Sequence, residues 1–278
     1  MTREPVDLGG GVRQYQTALW QTNTVLAVAG QDVLFCDPSW EPAEVAALRE
    51  TAERDAGRAT YILLTHADYD HTCGIGAFPD AIVVAGPETA VRIRSGAAAR
   101  ELAEASAEWG LAWEGEPRVD HVVEPGETHE LGSFRVATIE ARGHVADGLA
   151  WVLLDQAVLL AGDYLSATSY PFVIDSLAGS RRTVERLLQA LDEHDLRWVV
   201  PGHGPALAPA DAGRVGEEDL AYLDRLAEAA RDALAAGLSP GHSRVRVWSV
   251  EPPRLTTPDF DVFDVRGANA RAALAGAA

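Results

Sequence analysis

The chain of 278 residues contains no lysine, so all 23 of its basic side chains are arginine. Without lysine, neither a Schiff base nor a lysine general base is available for catalysis. Acidic side chains number 42, which gives a formal net charge of −19 at pH 7. A surface of this charge repels phosphate backbones and anionic lipids. We therefore expect a small-molecule substrate and no nucleic-acid or membrane partner, while the oligomeric state stays open.

Cysteine and long apolar runs are also scarce. Cys36 and Cys73 are the only cysteines, too few for a disulfide framework. No stretch reaches the roughly 18 uninterrupted apolar residues of a membrane span. The first residues lack a basic segment followed by an apolar core, the pattern of a secretory signal. These absences predict a protein of the reducing cytoplasm.

The apolar patterning predicts strands and helices in alternation. Three Val- and Leu-rich segments over residues 12–37 predict an antiparallel meander. Amphipathic helices are predicted over Pro42 to Arg54 and over Ser180 to His194, with Ser180 as the N-cap. A further helix is expected within residues 96–117, with Trp109 and Trp113 on one face.

The C-terminal quarter shows the same mixture of patterns. Residues 217–236 and 268–274 are predicted to be helical, and the alternation of RVRVWSV, residues 244–250, predicts a strand between them. We expect one domain over residues 1–278, in which residues 206–278 form a helix, strand and helix extension packed on the core.

Side chains that can bind metals follow four predicted strands, at the point where each strand ends. The segment TYILLTH ends at His66, RVATIEARGH at His144, the hairpin AWVLLDQAVLLAGD at Asp163 and LRWVVPGH at His203. Proteins of the α/β class place their sites at such strand ends. Imidazole mixed with carboxylate suits Zn²⁺, iron or Mn²⁺ better than Mg²⁺ or Ca²⁺. With the loop THADYDH, the candidate ligands are His66, Asp68, Asp70, His71, His144, Asp163 and His203.

Four segments, HADYDH, RGHVADG, LAGDYL and VVPGHG, resemble in order the HxHxDH, GH, GD and PGHG motifs of the metallo-β-lactamase superfamily. The resemblance covers about residues 12–205. It implies an α/β fold, a four-layered αββα sandwich with the metals in a groove at one edge of the two sheets. It also implies the ligand sets: His66, Asp68 and His144 for the first metal, Asp70, His71 and His203 for the second, and Asp163 bridging both.

The chemistry that the resemblance implies is hydrolysis by a hydroxide held between two divalent metal ions. Zinc is the first expectation, with iron or manganese as alternatives. Asp70 is expected to act as a catalytic residue as well, by orienting the nucleophile. The expected substrate is small and ester-like: a thioester, lactone, lactam or phosphoester.

Asp68 is the departure from the family pattern, which usually has histidine at this position. If Asp68 binds metal, the first site has two imidazoles and one carboxylate, the ligand set of non-haem iron oxygenases. Proteins of this fold that contain two irons have a carboxylate at the same place. Two other hypotheses therefore stand beside the hydrolase: an iron-dependent oxidase or oxygenase, and a binding protein that retains its metals without catalysis. If the shorter Asp68 does not reach the metal, it would orient a neighbouring ligand instead.

Overall fold

The computed structural model of the protein describes residues 4–39, 41–55, 59–254 and 264–277. Within these residues, two β-sheets pack face to face, and helices cover the outer face of each sheet. The predicted four-layered αββα sandwich is confirmed. None of the described helices combines the length and the apolar character that crossing a bilayer requires.

The first sheet has seven strands that are adjacent in chain order. The meander predicted over residues 12–37 is confirmed as three antiparallel strands, and the parallel strands after it continue the sheet. The strands are β1 Val6–Gly9, β2 Val12–Gln16, β3 Asn23–Ala29, β4 Asp32–Cys36, β5 Ala59–Leu63, β6 Ile82–Ala85 and β7 His121–Val122.

The second sheet has five strands in the spatial order β12, β11, β10, β9, β8. All its pairs are antiparallel except the parallel pair of β11 and β12. The strands are β8 Thr128–Leu131, β9 Phe134–Glu140, β10 Leu149–Leu153, β11 Val158–Gly162 and β12 Trp198–Pro201. Large apolar side chains such as Trp151, Phe134 and Leu34 fill the space between the two sheets.

The helices are divided between the two outer faces. Three of the first four, together with a 3₁₀ turn at Ile75–Ala77, share a core with the first sheet, and the last four share a core with the second; the short helix at Tyr69–Thr72 packs instead in a small separate cluster through Tyr69. They are α1 Pro42–Asp55, α2 Tyr69–Thr72, α3 Pro87–Arg94, α4 Ala97–Trp109, α5 Leu177–Glu193, α6 Pro209–Ala235, α7 Pro240–Trp248 and α8 Val265–Ala277.

The strand predicted at residues 244–250 is wrong, because this segment lies in helix α7. Ser239 caps the helix by accepting a hydrogen bond from the amide of His242, and Pro240 occupies the first turn. Both are strong helix-start signals. The apparent alternation is overridden because Ser243 and Val247, four residues apart, are buried on one helical face. The described residues of the C-terminal segment therefore form three helices packed on the second sheet, in place of helix, strand and helix.

Two other predicted helices begin or end elsewhere. Helix α5 is capped by Ser176, whose side chain accepts a hydrogen bond from Gly179, so Ser180 lies inside the helix. Helix α4 ends at Trp109 because Gly110 adopts a left-handed conformation with φ of 65°. Trp113 is consequently outside the helix, although it still packs with Trp109 in one apolar cluster.

Candidate metal centre

The seven candidate ligands lie together at one edge of the sandwich. Each of four strands, β5, β9, β11 and β12, delivers its ligand just beyond its carboxyl end. Backbone hydrogen bonds tie the two sheets together at this edge: Asn23 donates to the carbonyl of Gly202 at 2.7 Å, and Leu149 donates to the carbonyl of Thr65 at 2.7 Å. The arrangement therefore depends on both sheets being folded.

The first group consists of His66, Asp68, His144 and Asp163. Oδ2 of Asp68 lies 3.6 Å from Nε2 of His66 and 3.5 Å from Nε2 of His144. Nε2 of His144 lies 3.3 Å from Oδ2 of Asp163. Ligand atoms about 2.0–2.1 Å from a tetrahedral metal are about 3.4 Å from one another. The spacing in this group therefore fits a single cation, and it places Asp68 among the atoms that face that position.

The second group consists of Asp70, His71 and His203, again with Asp163. Oδ2 of Asp70 lies 3.5 Å from Nε2 of His71 and 3.4 Å from Nε2 of His203. The two oxygens of Asp163 divide between the imidazoles, with Oδ1 at 3.3 Å from His71 and Oδ2 at 3.4 Å from His203. Asp163 thus faces both groups, which is the position that a bridging carboxylate requires.

Several of the inward-facing atoms have no hydrogen bond. Nε2 of His66, His71 and His144 and Oδ1 of Asp163 are buried without a partner among the described residues. Buried polar atoms are normally satisfied, since an unsatisfied group retains its full desolvation penalty. Two sets of three residues could each hold a metal ion: His66, His144 and Asp163 form one set, and Asp70, His71 and His203 form the other. The donor atoms therefore fit the expected divalent cations.

The other nitrogen of each imidazole is hydrogen-bonded outside the centre. Nδ1 of His144 donates to the carbonyl of Phe172 at 2.7 Å, and Nδ1 of His203 donates to the carbonyl of Trp20 at 2.9 Å. A carbonyl can only accept, so the proton of each neutral ring resides on Nδ1. The lone pair of Nε2 is then directed into the centre, as metal binding requires.

Asp37, which the sequence analysis did not select, orients the other two imidazoles. Its Oδ2 accepts a hydrogen bond from the hydroxyl of Thr65 and lies 2.9 Å from Nδ1 of His71. Because the Thr65 hydroxyl donates to Asp37, its oxygen accepts from Nδ1 of His66 at 3.0 Å. The signal was present in the sequence, since Asp37 directly follows strand β4 as the other candidates follow theirs.

Arg92 and Asp147 were also not selected. Nη1 of Arg92 lies 2.7 Å from Oδ1 of Asp68 and 3.0 Å from Oδ1 of Asp147. Asp147 accepts a hydrogen bond from the backbone amide of Ala67 at 2.9 Å. No local pattern distinguishes Arg92 from Arg94, the other arginine of helix α3, because only the tertiary fold brings Arg92 to Asp68.

The electrostatics of the centre is dominated by attraction between carboxylates and imidazoles. Burial disfavours the charged form of His144, but Asp163 and Asp68 outweigh burial and raise the pKa of this imidazole to about 9. Burial opposes ionisation of Asp163 as well, yet His203, His71 and His144 hold the pKa of this carboxyl well below its usual range. The metal-free centre thus binds protons where a cation would otherwise lie.

A groove of 590 Å³ opens beside the first group. Its charged side chains are acidic apart from one arginine, and Tyr69, Val145 and Ile174 provide an apolar part. The acidic residues that line the groove are Asp68, Glu101, Glu104, Glu108, Asp147 and Asp175. A groove of this size is suited to a small molecule.

Residues 17–203 match the family described as the metallo-beta-lactamase superfamily, and the chain belongs to that superfamily. It is 28% identical to a hydroxyacylglutathione hydrolase of Acidiphilium cryptum over 71% of this chain and 72% of that protein. It is 29% identical to a hydroxyacylglutathione hydrolase of Methylobacterium nodulans over 68% of this chain and 64% of that protein.

Solved structures give the same fold. A metallo-beta-lactamase family protein from Thermus thermophilus superposes with a TM-score of 0.69 at 22% identity, covering 96% of this chain and 93% of the other. A metallo-beta-lactamase from Pontibacter korlensis superposes with a TM-score of 0.59 at 18% identity, covering 80% and 98%. At these identities the likeness establishes the fold and carries no information on the substrate.

Gly202 offers a test of how tightly the centre is packed. A Cβ atom at this position would lie 2.2 Å from Oδ1 of Asp163 and 3.0 Å from the His71 ring. We expect Gly202→Ala to displace Asp163 and to weaken metal binding about 10- to 100-fold, the usual effect of disturbing the support of a ligand. Chelator competition with Zn²⁺ measures this affinity.

The matched control is Gly213→Ala in helix α6, where the added carbon would meet only a Leu191 methyl group at 3.9 Å. This variant should bind metal as the wild type does, and should be slightly more stable because alanine favours helix. Unchanged affinity in Gly202→Ala would show that Asp163 can move without consequence.

The pKa of His144 predicts how the stability of the metal-free protein depends on pH. The folded-state value of about 9 lies above the unfolded value of about 6.5. This contribution to stability is therefore fully present below about pH 6.5 and is lost as pH rises through about 9. Thermal unfolding in chelator should show a midpoint that falls across this interval.

His144→Gln should reduce that dependence without abolishing it, because the pKa values of His71 and His203 are also raised by the surrounding carboxylates, whereas His121→Gln, at an exposed position in β7, should preserve it. A midpoint that stays constant or rises between pH 6.5 and 9 in the metal-free wild type would contradict the assigned ion pairs. Since a cation must displace the bound protons, metal binding at pH 7 should also release protons, which calorimetry in two buffers of different ionisation enthalpy detects.

Proposed function

We propose that the protein is a metal-dependent hydrolase that uses a dinuclear centre on a small ester-like substrate, with thioesters as the first candidate. The observation that carries the proposal is the convergence of unpartnered imidazole nitrogens around a carboxylate that faces both ligand groups. The similarity to hydroxyacylglutathione hydrolases supports a thioester, the bond that such enzymes cleave by their name. Zinc suits this mixture of imidazole and carboxylate donors.

The residues of the chain have distinct parts in the proposed reaction. His66, Asp68 and His144 would hold one cation, Asp70, His71 and His203 the other, and Asp163 would contact both. When bound, the two cations supply an activated water and positive charge for the oxyanion that develops on the substrate. Asp70 sits between His71 and His203 and would orient the attacking water through the carboxylate oxygen that the metal does not use.

A covalent route through a cysteine is disfavoured. Cys73 lies close to the ligands in sequence, but its side chain is buried, and burial raises the pKa of its thiol well above the usual value. A thiolate would therefore be scarce at neutral pH. Hydrolysis by direct attack of water on the substrate needs no such group.

The charge of the groove bears on the class of substrate. Glu104, Glu108 and Asp175 are exposed in the groove, and its single arginine already contacts three carboxylates. An anionic substrate would find no available cation on this wall. We expect substrates that are neutral or cationic near the scissile bond, in contrast to a glutathione conjugate with its net negative charge.

Iron-dependent oxidation is a second candidate function, and one observation favours it. The Asp68 carboxylate lies at ligand spacing from His66 and His144, which gives two imidazoles and one carboxylate. Metal analysis distinguishes the two candidates, because the hydrolase is expected to retain about two equivalents of Zn²⁺ and the oxidase to retain iron and to consume oxygen with a reductant.

The central test measures metal content and turnover together. Protein purified without added metal should contain two divalent ions, and it should hydrolyse chromogenic thioesters, lactones or esters. Asp163→Asn should lower metal content at both sites and reduce activity by at least about 100-fold. Asp155→Asn, at an exposed residue paired with Arg135, is the matched control and should change neither quantity.

Wild-type protein that binds no divalent metal would refute the proposed function. Protein that binds two metals but hydrolyses no member of a broad panel would instead support the third hypothesis, a binding protein that retains its metals.

A second test concerns the charge of the groove. Glu104→Gln together with Glu108→Gln should lower kcat/KM for a cationic thioester and raise it for an anionic one of similar size. The change should be about two- to fivefold, because exposed charges act through water, and added salt should reduce it. The control is Glu228→Gln with Asp232→Asn, which removes the same charge from the exposed face of α6. Equal effects of the two double variants would assign the change to net charge and not to the groove.

A further inference from the structure

The carboxylate of Asp68 has an unusual environment for its position in the chain. Asp68 is the N-cap residue of helix α2, yet its side chain makes no capping hydrogen bond. Aspartate at an N-cap normally accepts a bond from a backbone amide of the first turn. Here the two oxygens are divided differently: Oδ2 faces Nε2 of His66 and His144, and Oδ1 contacts Arg92 at 2.7 Å.

Arg92 is itself held by two other carboxylates. Its Nη1 donates to Oδ1 of Asp147 at 3.0 Å, and its Nη2 donates to Glu101. Asp147 is buried and fixed from both sides, since its carboxylate accepts from the amide of Ala67 and its carbonyl accepts from the Thr89 hydroxyl. Only about a fifth of the Arg92 side chain is exposed. The guanidinium therefore has a defined position beside the ligand loop.

We infer that Arg92 is a positioning residue for the first metal site, which directs Oδ2 of Asp68 toward the cation and offsets part of the charge that aspartate adds there. The inference rests on the proposed metal centre and goes beyond it, because no motif of the chain assigns Arg92 a role. Two consequences follow: Asp68 serves as a ligand through one oxygen, and Arg92 reduces the difference in charge between this aspartate and a neutral histidine.

The geometry argues against a role of Arg92 in binding an anionic substrate. Its nitrogens are directed to Asp68, Asp147 and Glu101, so their positive charge is already opposed by three negative ones. Charge counting also favours compensation. Two divalent cations, the carboxylates of Asp68, Asp70 and Asp163 and one hydroxide sum to zero, whereas a third neutral imidazole in place of Asp68 would leave a charge of +1, and Arg92 at contact with Asp68 offsets part of this difference.

A double-mutant cycle on metal affinity tests the inference. The full-length proteins are wild type, Arg92→Gln, Asp68→His and the combination of both, and the probes are Zn²⁺ affinity by chelator competition and the absorption spectrum with Co²⁺. With Asp68 present, we expect Arg92→Gln to weaken the binding of one of the two Zn²⁺ ions about 10- to 100-fold and to alter the absorption spectrum with Co²⁺. With histidine at position 68, removing Arg92 should leave affinity unchanged, because Arg92 then has no ligand to position and its remaining partners are Asp147 and Glu101.

A merely structural role for Arg92 predicts a different result. It would weaken metal binding by the same factor in both backgrounds, and that outcome would overturn the inference. Arg94→Gln, an exposed position on the same helix, is the matched control and should have no effect in either background.

Arg92→Lys keeps the experiment decisive if Arg92→Gln does not fold without metal, as judged by circular dichroism in chelator. Lysine retains the charge but lacks the planar fork that reaches several carboxylates at once. Arg92→Lys should therefore lower the metal affinity when residue 68 is aspartate and leave it unchanged when residue 68 is histidine. Equal losses with Arg92→Lys would again reject the inference. Failure of the wild type to bind any divalent cation would refute the proposed metal centre itself. Two bound metals whose affinity does not change when Arg92 is replaced would reject only the role of Arg92.

Discussion

The attraction between Asp163 and three imidazoles is the interaction on which the centre depends. Its carboxylate lies within 3.4 Å of Nε2 of His71, His144 and His203, although these residues come from three different loops and both sheets. Burying so many polar groups is unfavourable unless charges compensate one another. Bound protons compensate the carboxylates in the metal-free protein, and a cation would compensate them in the metal-bound protein. We therefore expect metal binding to be coupled to the stability of this edge of the sandwich.

The candidate ligands come from distant parts of the chain, so they meet only when both sheets of the sandwich are folded. The ligands come from the ends of β5, β9, β11 and β12, and hydrogen bonds outside the centre fix the orientation of the imidazoles. Small residues allow the loops to approach, and Gly202 is the clearest case because a Cβ atom there would overlap Asp163. The candidate ligands are therefore closely packed, while the neighbouring groove is open.

The sequence could predict the strands and the candidate ligands from local signals, and the fold from the resemblance of four short motifs to those of a known superfamily. Strand ends, the loop THADYDH and the Gly-His and Gly-Asp pairs are contiguous patterns that survive without tertiary information. Helix α7 was mistaken for a strand because burial across two other helices, and not alternation, decided its structure. Arg92 was missed for a related reason: its partners Asp68, Glu101 and Asp147 are separated from it in the chain, so no window of sequence contains the network.

The aspartate at position 68 shows why a single departure from a motif is hard to interpret from sequence. Taken alone, it adds a negative charge to a site that must hold an activated water, which argues for a weaker Lewis acid and favours iron. Arg92 at 2.7 Å weakens that argument, because a cation in contact with Oδ1 offsets part of the charge that the carboxylate presents through Oδ2. The carboxylate would then differ from histidine in shape and in the acidic groove that it shares with Glu101 and Asp147, more than in the net charge presented to the cation. This reasoning favours hydrolysis over oxidation for a site whose ligand set, considered by itself, would suit either.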